Sequence, residues 1–274
     1  MGWIAIDRQK CKKDRACAIE CPTAIIQLQE EDGYPDMVAG GENLCLRCGH
    51  CVAVCPHGAL SHQHVLLEEC PPIKKKLMLN EQQAVQFLRS RRSIRVFQDK
   101  PVEREKIRRL IEIARYAPTA INSQLVEWLV VSDKSRINKI TALTADHFRR
   151  VLKEDPHAAW APSLLRIVAA WEAGYDAILR NAPALVVASA PKEAFNGMID
   201  LTSALCYLGL AAPTLGLGTC WAGLLQRALL SSPSLKETLG VPADHPHHYP
   251  MMLGYPRLRY YRLPERKPPK ITYG

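Results

Sequence analysis

Apolar and polar positions alternate weakly across residues 24–29, which predicts a short strand. Glu31-Asp32-Gly33-Tyr34-Pro35 then supplies a turn. Asn80 predicts a helix N-cap, with Gln83 three residues on, and Val85 and Leu88 give that helix a side to bury. Between residues 135 and 181 apolar positions recur with helical spacing, interrupted by Pro156 and Pro162. The run from Ala184 to Ala190 is almost wholly apolar and predicts a buried strand. Residues 200–217 predict a mostly apolar helix kinked at Pro213, and residues 251–256 a last strand and turn.

From Leu201 to Leu225 the chain carries no charge, a length sufficient to span a bilayer. Gly209, Pro213, Gly216, Gly218 and Gly223 interrupt it. A buried helix, a turn and a short strand fit that pattern better, so no membrane span is expected. Met1–Ile6 runs straight into Asp7 and Arg8 without a signal peptide, and a cytoplasmic location is expected.

The chemistry begins with Cys45-Leu46-Arg47-Cys48-Gly49-His50-Cys51-Val52-Ala53-Val54-Cys55-Pro56. Its C-x2-C-x2-C-x3-C-P spacing is that of a bacterial-type 4Fe–4S ligand run, in which the fourth cysteine serves a different cluster. A second run is therefore expected. It lies upstream, from Cys11 through Cys17 and Cys21 to Pro22, with Asp14 where a cysteine would stand. Zinc sites use more widely separated cysteine pairs, and a disulfide framework needs an oxidising compartment, so both fit poorly. Of ten cysteines, Cys70, Cys206 and Cys220 fall outside the runs. The last two sit among apolar residues and are expected to be buried thiols.

Residues 1–64 resemble a two-cluster bacterial-type ferredoxin domain. The resemblance implies crossed ligation: Cys45, Cys48, Cys51 and Cys21 around one cluster, and Cys11, Cys17 and Cys55 around the other. Asp14 leaves the second cluster open to several readings. It is a 4Fe–4S cluster with an oxygen ligand or an exchangeable corner, a 3Fe–4S cluster with that corner empty, or a degenerate site without a cluster. The module is short and loop-rich, so the clusters are expected to supply its core. Cys11 and Cys45 lie 34 residues apart, as a pseudo-twofold repeat requires.

Charge divides the chain in the same place. Residues 1–70 carry six basic and ten acidic side chains, a net of −4, whereas residues 71–274 carry thirty and seventeen, a net of +13. Two domains, 1–70 and 71–274, are expected, with Cys70-Pro71-Pro72-Ile73-Lys74-Lys75-Lys76 as the linker. The basic half suits anionic cofactors or substrates; nucleic acid is set aside for want of any matching motif. His245, His247 and His248, interrupted by Pro246, are expected in an exposed turn rather than at a metal.

Arg91, Arg92 and Arg95 with the Ser93 hydroxyl can bind a phosphate and the pyrimidine edge of a flavin through charge-assisted hydrogen bonds. Arg91-Arg92-Ser93-Ile94-Arg95-Val96-Phe97 is followed by Pro101-Val102, a helix near 103–116, the loop Ala117-Pro118-Thr119-Ala120-Ile121-Asn122-Ser123-Gln124, and a strand at 128–131. This succession resembles the start of a nitroreductase-family flavoprotein, although Leu125-Val126 stands where the family has Pro-Trp. Gly216-Leu217-Gly218-Thr219-Cys220-Trp221-Ala222-Gly223 is similar to the family segment that lies against the isoalloxazine ring. Pro264-Glu265-Arg266-Lys267-Pro268 is similar to its basic element near the flavin phosphate, with Arg266 the first choice and Lys267 the alternative. The resemblance thus implies FMN held by Arg91, Arg92, Ser93, Arg95, Thr119, Asn122, Cys220, Trp221, Ala222, Gly223 and Arg266. It also implies an α+β fold, a three-layer sheet-and-helix domain behind the small ferredoxin-like domain, and an intertwined homodimer sharing its FMN sites.

The expected function is an iron–sulfur flavoprotein oxidoreductase. Electrons pass from the clusters to FMN and on to a small organic acceptor such as a nitroaromatic or a quinone. The donor is a one-electron carrier such as a ferredoxin, or NAD(P)H. No side chain is expected to be an obligatory acid or base. The alternatives are a non-catalytic redox relay or sensor, and dehalogenating or flavin-modifying chemistry.

Overall fold

In the computed structural model, which describes residues 2–157 and 159–274, the chain divides into two units. One comprises Met1–Met78 with Ile121–Ser123, the other Leu79–Ala120 with Gln124–Gly274. The Cys70–Lys76 stretch falls inside the first unit, where short 3₁₀ turns at Leu67–Glu69 and Lys75–Leu77 flank it.

The first unit is a repeat of short elements. Strand β1 (Ile4–Ile6), helix α1 (Ala16–Glu20), β2 (Ile26–Leu28), β3 (Pro35–Met37), α2 (His50–Val54) and β4 (Leu60–His62) follow in order. Helix α2 and strand β4 repeat α1 and β2 at an offset of 34 residues. Strand β1 pairs antiparallel with β4, and β2 with β3 across the predicted turn. Backbone conformations repeat too. Lys13 and Arg47 both have positive φ, as do Arg15 and Gly49 immediately before the two helices. Non-glycine residues held there carry local strain, which marks both cysteine loops as shaped for a purpose. The apolar core is small: Ile4, Ile25, Ile26, Val52 and Leu60, with Cys17 among them.

In the second unit Asn80 caps α3 (Glu81–Ser90) through the predicted capping box: Asn80 Oδ1 accepts the Gln83 N–H, and Gln83 Oε1 accepts the Asn80 N–H. Then come α4 (Arg104–Ala114), β5 (Glu127–Val131), α5 (Lys134–Glu154), α6 (Ala161–Glu172), β6 (Ala184–Ala190), α7 (Gly197–Ala211), β7 (Gly218–Trp221), α8 (Gly223–Leu229), α9 (Pro233–Leu239) and β8 (His247–Gly254). The strands form an antiparallel sheet in the order β5-β6-β8-β7. Every residue of β6 is buried. Leu185 and Val187 face a core built with α5, α6, α8 and α9. Ala184, Val186 and Ala188 face another built with α4 and α7. Helices thus cover both faces of the sheet, and the fold is α+β with three layers.

Several expectations are corrected. Pro156 falls in the break between α5 and α6, as expected, but Pro162 interrupts no helix: it lies in the first turn of α6, where a missing N–H costs nothing. Pro213 does not kink a continuous helix. The α-helix ends at Ala211 and a 3₁₀ turn runs from Ala212 to Leu215, closed by Gly216 at φ 74°. The helical run Gly197–Leu215 has the length and apolarity of a membrane span, but its Leu201, Leu205 and Leu208 pack into the sheet-facing core. No residue of α3 is buried, and Val85 and Leu88 lie 46% and 57% exposed, because nothing within this unit covers their face. Cys206 is exposed on α7, whereas Cys220 is buried in β7 as expected. His245 and His248 are buried rather than in an exposed turn, because β8 begins at His247 and carries the segment into the sheet.

Candidate functional site

The first unit folds its cysteines around two separate cavities. One is lined by Cys11, Cys17 and Cys55, with Asp14 and His57 at its edge and Ile6, Leu28 and Leu60 among its apolar walls. The other is lined by Cys21, Cys45, Cys48 and Cys51, with Ile4, Ile26, Met37 and His62. Cys21 and Cys55 have exchanged places: each follows one short helix and lines the cavity of the other run. Both follow their helices in extended conformation, Cys21 at ψ 112° and Cys55 at ψ 110°, which turns each away from its own helix.

The donor chemistry fits iron–sulfur clusters. Burial pushes the Cys17 thiol up, with Cys55 and Cys11 adding to the shift. Burial likewise pushes Cys51 up to about 11, with Cys48, Cys21 and Cys45 adding to it. The Cys17 and Cys51 thiols therefore hold their protons, and iron must displace them. Cys21 shifts the other way: burial raises it, but the Thr23 hydroxyl and the N–H groups of Ile25, Thr23 and Ile26 outweigh burial. Among the described residues no three His, Cys, Asp or Glu side chains converge on a single-ion site. A cage whose thiolates each hold a different iron accounts for both the gathering and the lack of one centre. The two side-chain sets are suited to iron–sulfur clusters.

Two histidines that sequence reasoning passed over stand beside these cavities. His57 Nε2 lies 3.3 Å from Asp14 Oδ2, and the other Asp14 oxygen accepts the Ala16 N–H at 3.1 Å. His62 Nε2 lies 3.4 Å from Cys45 Sγ. The 34-residue repeat was the available signal for His62, because it sets that residue opposite Leu28.

In the second unit the two flavin-like motifs meet. Ser93 bridges to Thr219 of β7 in parallel fashion, and the Ile94 N–H donates to the Thr219 carbonyl at 2.9 Å. Gly218 permits the crossing: a Cβ there would lie 2.3 Å from Ile94 Cγ1. Arg91, Arg92 and Ser93 are half-buried and Arg95 is exposed. Arg92 lies over the Tyr260 ring, and Arg89 pairs with Glu265 at 2.9 Å, which brings Arg266 to the same neighbourhood. Among the described residues none of Arg91, Arg92, Arg95 and Arg266 has a carboxylate partner. This gathered, uncompensated charge suits a phosphate dianion.

Within β7, Cys220 is buried and Trp221 meets Tyr249 edge-on at 4.9 Å; just beyond it the Ala222 N–H donates to the Pro250 carbonyl. Gly223 is exposed at the start of α8, where a Cβ would meet only the Tyr249 hydroxyl at 3.6 Å. A flat ring therefore finds small residues and a turning backbone along this edge.

The Thr119 loop is held by different partners. Thr119 Oγ1 accepts the Gln124 N–H, and Asp200 Oδ1 accepts the Ala120 N–H at 3.0 Å. Asp200 is buried, and among the described residues neither its Oδ2 nor the buried Ser123 Oγ has a hydrogen-bond partner. Asp200 was legible only as the one charge at the head of an apolar helix. Asn122 belongs to the first unit, where its side-chain amide donates to the Leu46 and Arg47 carbonyls at 3.0 and 3.2 Å. Its amide is thus engaged with the cysteine loop, which leaves Oδ1 as its other polar atom.

Comparison with known proteins agrees with both halves. The nitroreductase family profile matches residues 88–255, and that of the 4Fe-4S dicluster domain matches residues 9–59. An NADH dehydrogenase/NAD(P)H nitroreductase, so named, of Archaeoglobus fulgidus is 25% identical over 181 residues, 64% of this chain and 87% of that protein. A protein named Ferredoxin 7Fe from Hydrogenibacillus schlegelii is 37% identical over 69 residues, 25% of this chain and 82% of that protein. A nitroreductase with bound FMN from Desulfitobacterium hafniense DCB-2 shares the fold with a TM-score of 0.56 at 23% identity, covering 72% of this chain and 99% of that one.

Proposed function

Because this chain belongs to the nitroreductase family of FMN-dependent oxidoreductases and carries a dicluster iron–sulfur domain ahead of the family region, we propose that it takes electrons in at its cysteine cages and delivers them, by way of FMN, to a small organic acceptor such as a nitroaromatic or a quinone. The observation that carries this reading is the presence, in one chain, of two cysteine-lined cavities and the uncompensated guanidinium groups beside β7. When bound, the clusters supply one-electron transfer and FMN couples single electrons to a two-electron reduction.

Each residue set has a physical task. Cys45, Cys48, Cys51 and Cys21 hold a 4Fe–4S cluster in a cage that Ile4 and Ile26 help to line. Cys11, Cys17 and Cys55 hold the second. Both Asp14 oxygens already have protein partners, which favours a three-cysteine 3Fe–4S cluster there, in keeping with the 7Fe name of the ferredoxin relative. Arg91, Arg92 and Arg266 bind the FMN phosphate. Ser93 and Arg95 serve the pyrimidine edge, where positive charge stabilises an electron-rich ring. Cys220, Trp221, Ala222 and Gly223 lie along the ring.

Thr119 and Asn122 complete the flavin site from the second subunit of a homodimer. The uncovered apolar side of α3, the exposed Phe195 and Ile199 at the head of α7, and the exposed aromatics Tyr260, Tyr261 and Tyr273 supply surface for that association.

The test is made on anaerobically purified protein. Iron, sulfide and released flavin are counted per chain, then flavin bleaching is followed after mixing with reduced ferredoxin, NADH or NADPH. Rapid bleaching by ferredoxin that is lost in Cys45→Ser supports the reading. Bleaching by NADH that is indifferent to Cys45→Ser removes the clusters from the path, and protein without flavin overturns the proposal.

A further inference from the structure

The two cages are built on one repeat, and their side-chain donors are not repeated. Strands β2 and β4 occupy equivalent positions, so Leu28 and His62 are repeat mates. Leu28 presents hydrocarbon to the Cys11 cage, whereas His62 presents a ring nitrogen to the Cys45 cage, 3.4 Å from Cys45 Sγ. Backbone donors do obey the repeat: the Ala59 N–H reaches Cys55 Sγ at 3.3 Å and its mate Ile25 serves Cys21. A longer contact, Thr23 Oγ1 to Cys21 Sγ at 3.6 Å, falls on the same cage as His62.

The direction of the His62 bond is settled by its other nitrogen. The His64 backbone N–H donates to His62 Nδ1 at 3.0 Å, so Nδ1 is an acceptor and the ring proton sits on Nε2, facing the sulfur. The ring cannot swing away. His62 is 3% exposed, pairs with Ile4 across β1 and β4, and packs edge-on against Trp3 at 5.8 Å.

We propose that His62 is a tuning residue, donating its Nε2–H to the Cys45 thiolate and so raising the reduction potential of the cluster held by Cys45, Cys48, Cys51 and Cys21. This rests on the cluster reading given above. Reduction adds one electron, whose charge spreads onto the sulfurs, and a donor aimed at a sulfur stabilises the more negative state. Among the described residues the Cys11 cage, with Leu28 in the equivalent place, receives no such side-chain bond. The bond therefore shifts the Cys45 cluster's potential upward relative to the same cage without it.

The experiment is a redox titration of the reconstituted full-length protein followed by EPR, in the parent, His62→Leu and His62→Gln. The Leu variant copies the repeat mate; the Gln variant keeps an N–H donor. The Leu variant is expected to lower the midpoint of the Cys45 cluster by about tenfold in the one-electron equilibrium, about 59 mV, with the other cluster unmoved and with Gln recovering part of the loss. An unmoved midpoint, or an equal shift of both clusters, overturns the inference. Should His62→Leu fail to hold iron, the parent protein labelled with 15N-histidine decides. Pulsed EPR of the reduced Cys45 cluster is expected to show coupling to one histidine nitrogen, and its absence overturns the inference. A parent protein whose iron content and EPR are unchanged by Cys45→Ser instead sinks the cluster reading itself, and the inference with it.

Discussion

Asp14 Oδ2 and His57 Nε2 lie 3.3 Å apart at the mouth of the three-cysteine cage. With Oδ1 already accepting the Ala16 N–H, the carboxylate is held by protein at the position where the repeat has Cys48. Asp14→Cys is therefore expected to supply the missing thiolate. Anaerobically reconstituted parent protein should hold about seven irons and show an oxidised 3Fe–4S signal, and the variant about eight with that signal gone. Eight irons in the parent would make Asp14 a ligand.

Gly218 is where the Arg91–Arg95 segment crosses β7. Its Cβ would meet Ile94 at 2.3 and 2.9 Å and Pro256 at 3.0 Å. Gly218→Ala is expected to cost about 1–3 kcal/mol through overpacking, read as a lower melting temperature, and to release FMN by displacing Ser93. A variant that melts like the parent and keeps its flavin would show that the crossing relaxes without consequence.

Among the described residues Arg91 and Arg92 have no carboxylate partner. Losing one hydrogen bond to a charged group costs about 1.5–3 kcal/mol, so Arg91→Ala and Arg92→Ala should each weaken FMN binding about ten- to a hundredfold. Lys134→Ala, which breaks an exposed pair with Asp99, should leave FMN affinity unchanged. Equilibrium dialysis of FMN against the apoprotein measures both.

His147 and His248 are buried in the second unit, and burial holds both below the ordinary imidazole range. Arg150 lowers His147 further while Glu154 opposes it; Lys236 and His247 act on His248, whose Nδ1 lies 3.2 Å from Gln226 Oε1. A depressed folded value means that the unfolded chain binds the proton first. Stability is then level above about pH 6.5 and falls as the pH drops below it towards the folded values. Melts from pH 8 to 5 should show this slope, and His248→Gln should flatten it. An equal slope in the variant would assign acid lability to other groups.

Ile199, 64% exposed at the head of α7, belongs to the surface proposed to meet a second subunit. Ile199→Asp should shift sedimentation from dimer towards monomer and lower the flavin content together with it, because the proposed site takes Thr119 and Asn122 from the partner. Monomer that retains its full flavin would refute the shared site.

What could be read from the chain was what neighbours in sequence decide. The two cysteine runs, the Asn80–Gln83 capping box and the buried run of β6 each depend on residues within a few positions of one another, and the 34-residue repeat on matching one run to the other, so spacing and residue type sufficed. The exchange of Cys21 and Cys55 was expected only through resemblance, and the structure supplies its cause in the extended backbone after each short helix. The errors have a common origin. Val85 and Leu88 are apolar at helical spacing yet exposed, Cys206 sits in an apolar helix yet faces outward, and His245 and His248 look like loop residues yet are buried. Whether a face is covered is decided by segments distant in sequence, and no local pattern records them. The same holds for the contacts that matter most for the chemistry: His62 on Cys45, His57 on Asp14 and Ser93 on Thr219. The sequence by itself determined which groups this protein brings to its cofactors; only tertiary packing decided which of them touch, because hydrogen bonds act over a few ångströms that the chain closes only by folding.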